Sequence, residues 1–165
     1  MSLTTAAAEP QKKISRLTRN SKLLKVIIKS IQDKKGEKIV SIDLRKVTEA
    51  VSDFFIVCEA QSTVQVRAIA DWIEVQVKDE CGEIPYKREG NGVAQWVLVD
   101  YVNVVVHIFL AETRKFYRLE EMWSDGVAQE EIEEEVAKKP AKSPKKETLK
   151  EKAPAKTKKA AKTLK

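Results

Sequence analysis

Few residues in this chain have the type and spacing for chemistry. It holds two cysteines, Cys58 and Cys81, one histidine, His107, and scattered carboxylates. A thiol nucleophile needs a base or a positive neighbour to form thiolate, and nothing in the sequence places His107 beside either cysteine. The cysteines lie too far apart for a zinc or redox motif. They read as small buried apolar groups in a reducing compartment. Phosphoryl transfer on two metal ions needs closely spaced carboxylates. Asp53 has no acidic residue two positions away, and Asp71 with Glu74, like Asp79 with Glu80, reads as the solvated side of a helix. Gln61-Ser62-Thr63 follows a strand and opens a helix, so its amides could accept an anion, but no glycine opens the turn. Neither catalysis, nor a cofactor, nor a metal is expected.

Charge divides the chain. Its 165 residues suit one domain. Residues 1–20 carry four Lys and Arg against one acid, residues 21–126 fifteen against seventeen, and residues 127–165 twelve Lys against seven acids. The basic character belongs to the ends. A near-neutral domain with a basic tail suggests tethering near nucleic acid, not a fold that reads it. The longest apolar stretch, Val97 to Leu110, is broken by Asp100, Asn103 and His107, so no membrane span is expected. No apolar segment of secretory type follows the first residues. The first 25 are rich in Ser, Thr, Ala, Lys and Arg with only Glu9 acidic, a composition shared with organelle transit peptides. A cytoplasmic location is the favoured expectation.

Periodicity supplies the elements that position these residues. Leu23, Leu24, Ile27, Ile28 and Ile31 mark an amphipathic helix over 21–34, capped by Asn20 or Ser21. Residues 38–44 alternate as a strand. Residues 52–60 form a nearly continuous apolar run, a buried strand. Ser62 or Thr63 starts a second helix, with Val66, Ile69, Ala70, Ile73 and Val77 on one face and Gly82 beyond its end. A short extended edge at 85–89 and two strong strands, 95–101 and 104–110, follow. Thr113 is the expected cap of a closing helix that bears Phe116, Leu119 and Trp123. The expected fold is an α/β (mixed α+β) single domain with a five-stranded mixed sheet and flanking helices. Residues 1–20 are expected to be a disordered N-terminal segment, 21–126 the domain, and 127–165 an acidic linker with a disordered tail. In that tail, residues 138–165 hold twelve Lys and two Glu.

The two strong strands form a hairpin. With a two-residue turn at Val102-Asn103, Leu98 faces His107 and Val99 faces Val106. One face then holds Val97, Val99, Tyr101, Val104, Val106 and Ile108 and should be core. The other holds Trp96, Leu98, Asp100, Val105, His107 and Phe109. Either a second layer of helices covers it, or part stays open and Trp96 with Leu98 anchors a protein partner. Periodicity alone favours the covering layer.

Segments 53–60 (DFFIVCEA), 65–74 (QVRAIADWIE), 89–109 (EGNGVAQWVLVDYVNVVVHIF) and 114–123 (RKFYRLEEMW) resemble, in order, the signatures of the Iojap or ribosome silencing factor family. The resemblance runs from about Leu23 to Asp125. It implies a nucleotidyltransferase-related sheet without catalytic residues. It also implies a protein that binds ribosomal protein fourteen of the large ribosomal subunit, blocks joining of the small subunit and lowers translation. Carried over by position, Trp96, Val97, Leu98, Asp100 and His107 are the expected partner contacts, with Trp72 and Tyr101 as accessory candidates. Tyr117 and Trp123 match the family's closing helix, expected to be mostly structural. The family's hairpin turn often holds glycine where this chain has Val102-Asn103. Two further contacts are expected: ribosomal RNA against the Lys-rich tail, and a homodimer of the free protein through the apolar hairpin face.

Overall fold

The computed structural model describes residues 16–132; the expectations for residues 1–15 and for the Lys-rich tail lie outside them. The first helix, α1 (Lys22–Asp33), starts where Ser21 Oγ accepts the Leu24 N–H at 3.4 Å. Its leucines, isoleucines and Val26 turn to one side, and α2 (Thr63–Cys81) packs beside it. Ser62 Oγ caps α2 by accepting the Gln65 N–H at 3.2 Å, and the Gln65 side chain returns to accept the Gln61 N–H at 2.9 Å. This reciprocal satisfaction of free amides resembles a capping box. Gly82, at φ 69°, ends the helix in the left-handed region.

The strands are β1 (Glu37–Asp43), β2 (Phe54–Ala60), β3 (Lys87–Glu89), β4 (Trp96–Asp100), β5 (Val104–Leu110) and β6 (Val127–Glu130). They lie in the order β3-β4-β5-β2-β1-β6. Only β2 and β5 run parallel; the other pairs are antiparallel. Every residue of β2 is buried, as the unbroken apolar run requires of a strand covered on both faces. The helix-side core joins α1 and α2 to Phe54, Ile56, Val97, Val99, Val104, Val106 and Ile108. A smaller cluster on the opposite face gathers Ile42, Leu44, Phe55, Val57, Val105, Phe109 and Leu119.

Several expectations change. The sheet has six strands, not five. Residues 127–130, expected in the linker, pair with β1 as an edge strand. All four of its side chains are exposed, so the pairing is made by backbone and left no apolar signal. Thr113 caps nothing: α3 (Ala111–Tyr117) begins two residues earlier, directly from β5 and without a side-chain cap. Arg118, at φ 47°, breaks the expected closing helix and α4 (Leu119–Met122) follows. The N-terminal segment is ordered from residue 16. Leu17 donates its N–H to Asp53 Oδ2 at 2.9 Å, and Arg19 donates to Ser41 Oγ (3.0 Å), Gln129 Oε1 (2.9 Å) and the Val127 carbonyl (3.2 Å). Arg19 thus clasps β6 to its neighbour.

Candidate partner-binding face of the sheet

The pairing of β4 with β5 places Trp96 opposite Phe109, Leu98 opposite His107 and Val99 opposite Val106, the expected register. The turn closes through Tyr101 N–H to the Val104 carbonyl at 2.8 Å and Asn103 N–H to the Tyr101 carbonyl at 2.9 Å. Val102 takes φ 72° at its centre. A β-branched residue meets steric cost there. Asp100 Oδ1 steadies the turn by accepting the Val102 N–H at 2.6 Å. Gly90, at φ 84°, has a different reason to be glycine: a Cβ there would stand 1.9 Å from the Trp96 carbonyl oxygen. The turn into β4 closes only because that atom is missing.

The face away from α1 and α2 therefore carries Lys87 and Glu89 on β3, Trp96, Leu98 and Asp100 on β4, and Val105, His107 and Phe109 on β5. The helices α3 and α4 cover one end of it through Leu119 and Trp123, and a loop covers part through Val47 and Ala50. Between them Trp96 and Leu98 stay half-buried, and Tyr117 is 45% and Phe116 80% exposed. The two alternatives posed by the hairpin are thus combined in one face: the short helices cover an end and the β3–β4 side stays open.

Trp96 is held by aromatic neighbours. Its ring stacks on Phe109 (centroids 4.8 Å apart, 25°) and leans on Tyr117 (4.9 Å). Its indole N–H donates to His107 Nδ1 at 3.2 Å. His107 meets Phe55 edge-on at 4.8 Å, and Phe55 meets Trp123 at 5.3 Å. Because Nδ1 accepts, the neutral ring carries its proton on Nε2, which has no hydrogen-bond partner among the described residues. Burial alone pulls the imidazole down to about 4. His107 is thus neutral at neutral pH and lies under Trp96.

The other expected contacts separate. Val97 is fully buried on the helix side and Tyr101 nearly so, so neither side chain is presented to a partner; side-chain alternation puts them behind the strand. Burial, aided by the acids Glu74 and Glu83, pushes the Tyr101 hydroxyl well above its usual range. Trp72 sits half-buried on α2 across the sheet, donating to Asp33 Oδ2 at 3.3 Å with Lys34 Nζ 4.6 Å from its ring centre. Phe116, Lys87 and Glu89 also lie exposed on or beside this face, and the sequence did not single them out for it. Exposed aromatics on a broken helix have no periodic signature, and a three-residue edge strand gives no register.

Several of the residues weighed for catalysis make structural contacts. Asp71 and Glu74 both hold Arg88, at 2.7 and 3.0 Å. Asp53 binds Leu17, and Ser62 caps α2. Burial raises the Cys58 thiol to about 12. A recess of about 1200 Å³ has Glu59 and Arg114 among its walls, with lysines and glutamates of both signs around them. The two are 3.5 Å apart, with Lys38 2.7 Å from Glu59 and Glu120 2.5 Å from Arg114. Charges so matched fasten α3 and α4 to the sheet. No metal-holding cluster is present among the described residues, and no helix there is long and apolar enough to cross a membrane.

Comparison with known proteins gives a consistent family. The chain is 41% identical over 103 residues to the ribosomal silencing factor RsfS of Bacillus subtilis, covering 62% of this chain and 86% of that one. It is 36% identical over 106 residues to RsfS of Halalkalibacterium halodurans, covering 64% and 89%. A crystal structure of a Chromobacterium violaceum protein superposes with a TM-score of 0.59 at 34% identity, over 62% of this chain and 83% of that one. The family model described as ribosomal silencing factor during starvation matches residues 18–162, and the chain belongs to that family.

Proposed function

We propose that this chain silences translation sterically. The open β3–β4 side of the sheet docks on ribosomal protein fourteen of the large ribosomal subunit, and the body of residues 21–126 then occupies space that the small subunit needs. The observation that carries this reading is the half-open Trp96, fixed by His107, Phe109 and Tyr117 beside Leu98, with the Lys87–Glu89 pair and Asp100 alongside. A rigid aromatic anchor with a polar rim is the usual composition of an interface centre. The reading uses no reaction and no cofactor. The Lys-rich segment 138–165 adds an electrostatic contact to ribosomal RNA in this scheme.

The test is sedimentation of the full chain with separated ribosomal subunits, wild type beside Trp96→Ala. We expect wild type to travel with the large subunit alone and the variant to lose at least ~2 kcal/mol, about thirtyfold, in affinity while remaining folded. Equal binding to both subunits, abolished by salt, would overturn the reading. Deleting 138–165 should flatten the salt dependence by about 0.7–0.9 for each phosphate that the tail neutralises and leave low-salt docking intact.

A further inference from the structure

The layer opposite the open sheet face carries a charge arrangement that protein docking does not use. Residues 22–36 hold five Lys with a single acid, Asp33, whereas residues 37–126 hold ten Lys and Arg against sixteen Asp and Glu. The near-neutral domain is thus strongly polarised, and α1 is its positive side. Leu23, Leu24, Val26, Ile27, Ser30 and Ile31 face the core, which leaves Lys22, Lys25 and Lys29 exposed. At ~1.5 Å per residue, these three lysines span about 10 Å along the helix.

Helix stability does not explain this arrangement; it opposes it. Lys22 and Lys25, then Lys25 and Lys29, sit three and four positions apart, where like charges repel. Lys22 faces the positive end of the helix dipole and Asp33 the negative end; the first turn has no acid and the last turn no base. Among the described residues, the lysines in ion pairs are Lys38 and Lys87, neither of them on α1. Lys22 donates to the Glu80 carbonyl in the last turn of α2, where the helix dipole favours a cation, and Lys25 and Lys29 have no such partner among the described residues. Asp33 is itself turned aside to accept the Trp72 N–H. Lys34 over the indole extends the cationic surface to a half-exposed aromatic ring. A local rule broken repeatedly on one face points to an external ligand, and the sign of the charge on this face suits an anionic one.

We propose that the solvent face of α1, with Trp72 at its carboxyl-terminal end, binds the phosphate backbone of single-stranded RNA. The lysines contact successive phosphates as point charges, and the indole offers a flat surface for a base. A membrane surface fits less well. An interfacial helix inserts its apolar face between lipids, and the apolar face of α1 is already in the core.

The experiment is fluorescence anisotropy of a labelled 16-nucleotide oligouridylate against the full chain over a series of KCl concentrations. Wild type is compared with Lys25→Gln/Lys29→Gln and with Lys46→Gln/Lys115→Gln, which removes the same charge from exposed positions elsewhere. The α1 variant should bind more weakly at every salt concentration, with its log–log salt slope reduced by about 1.4, two single-strand phosphate contacts. The control variant should keep the wild-type slope. An unchanged slope in the α1 variant, or the same reduction in both variants, would overturn the proposal, the second because net charge alone would account for it. Circular dichroism checks that both variants fold; relief of repulsion on α1 should raise, not lower, its melting temperature.

Discussion

The Trp96 indole N–H ends on His107 Nδ1 at 3.2 Å, so the one half-open tryptophan on the sheet is aimed by the one histidine beneath it. This hydrogen bond fixes the His107 tautomer and ties the orientation of a half-exposed indole to a buried neutral group.

The sign of a pH effect follows. His107 titrates at about 4 when folded because burial disfavours its charged form, against ~6.5 in an unfolded chain. The unfolded state binds the extra proton first as pH falls. This contribution to stability is therefore fully present above ~6.5, declines between ~6.5 and 4, and levels off below. Urea unfolding at pH 7, 5.5 and 4.5 should show wild type losing about 2 kcal/mol more than His107→Gln over that range. Parallel losses in the two proteins would show that the buried imidazole is not the group responsible.

The hairpin tip offers a stabilising change. Val102 holds φ 72°, a region costing ~1–3 kcal/mol for a side chain of its kind. Glycine removes that cost and gives part back through unfolded-chain entropy. Val102→Gly should gain about 1 kcal/mol in urea unfolding, with the m-value unchanged. A loss of stability would mean that the valine makes a contact that outweighs its backbone.

Arg114 joins three elements. It donates to the Lys38 carbonyl of β1 at 2.7 Å, lies 3.5 Å from Glu59 of β2, and pairs with Glu120 of α4 at 2.5 Å. Arg114→Met leaves the buried Glu59 with Lys38 alone, and should cost about 2–4 kcal/mol. Denaturant titration measures this, and a change below ~1 kcal/mol would argue that solvent already screens the group.

A Tyr117 variant tests docking apart from folding. It lies on Trp96 with 45% of its surface open. Tyr117→Ala should cost about 1 kcal/mol of stability and at least about tenfold in large-subunit binding. Retained affinity would move the contact toward β3 and Leu98.

Much of this was legible in the chain. Asp100 between Val99 and Tyr101, with a two-residue turn at Val102-Asn103, gave both faces of the hairpin and its register, because a one-residue slip would bury Asp100 and expose Val99. Ser21, Ser62 and Gly82 marked the helix ends through their capping chemistry. Other features left no local trace. β6 is held by Arg19, a residue more than a hundred positions earlier in the chain, and its own side chains are all exposed. The break at Arg118 comes from a backbone angle that arginine rarely adopts. Val97 was expected to touch a partner because of its neighbours in the motif, although alternation had already turned it inward.

The single parallel junction of the sheet has a consequence in time. β2 and β5 pair Phe54 with Val104 through Ala60 with Leu110, so the central seam joins stretches separated by α2 and two other strands. Neighbouring hairpin strands can find each other early, but this seam must first close a long loop. No chain ending before Leu110 can complete the fully buried strand at the middle of the sheet. Assembly is therefore expected to finish at its centre, with the β4–β5 hairpin formed first and docked whole against β2.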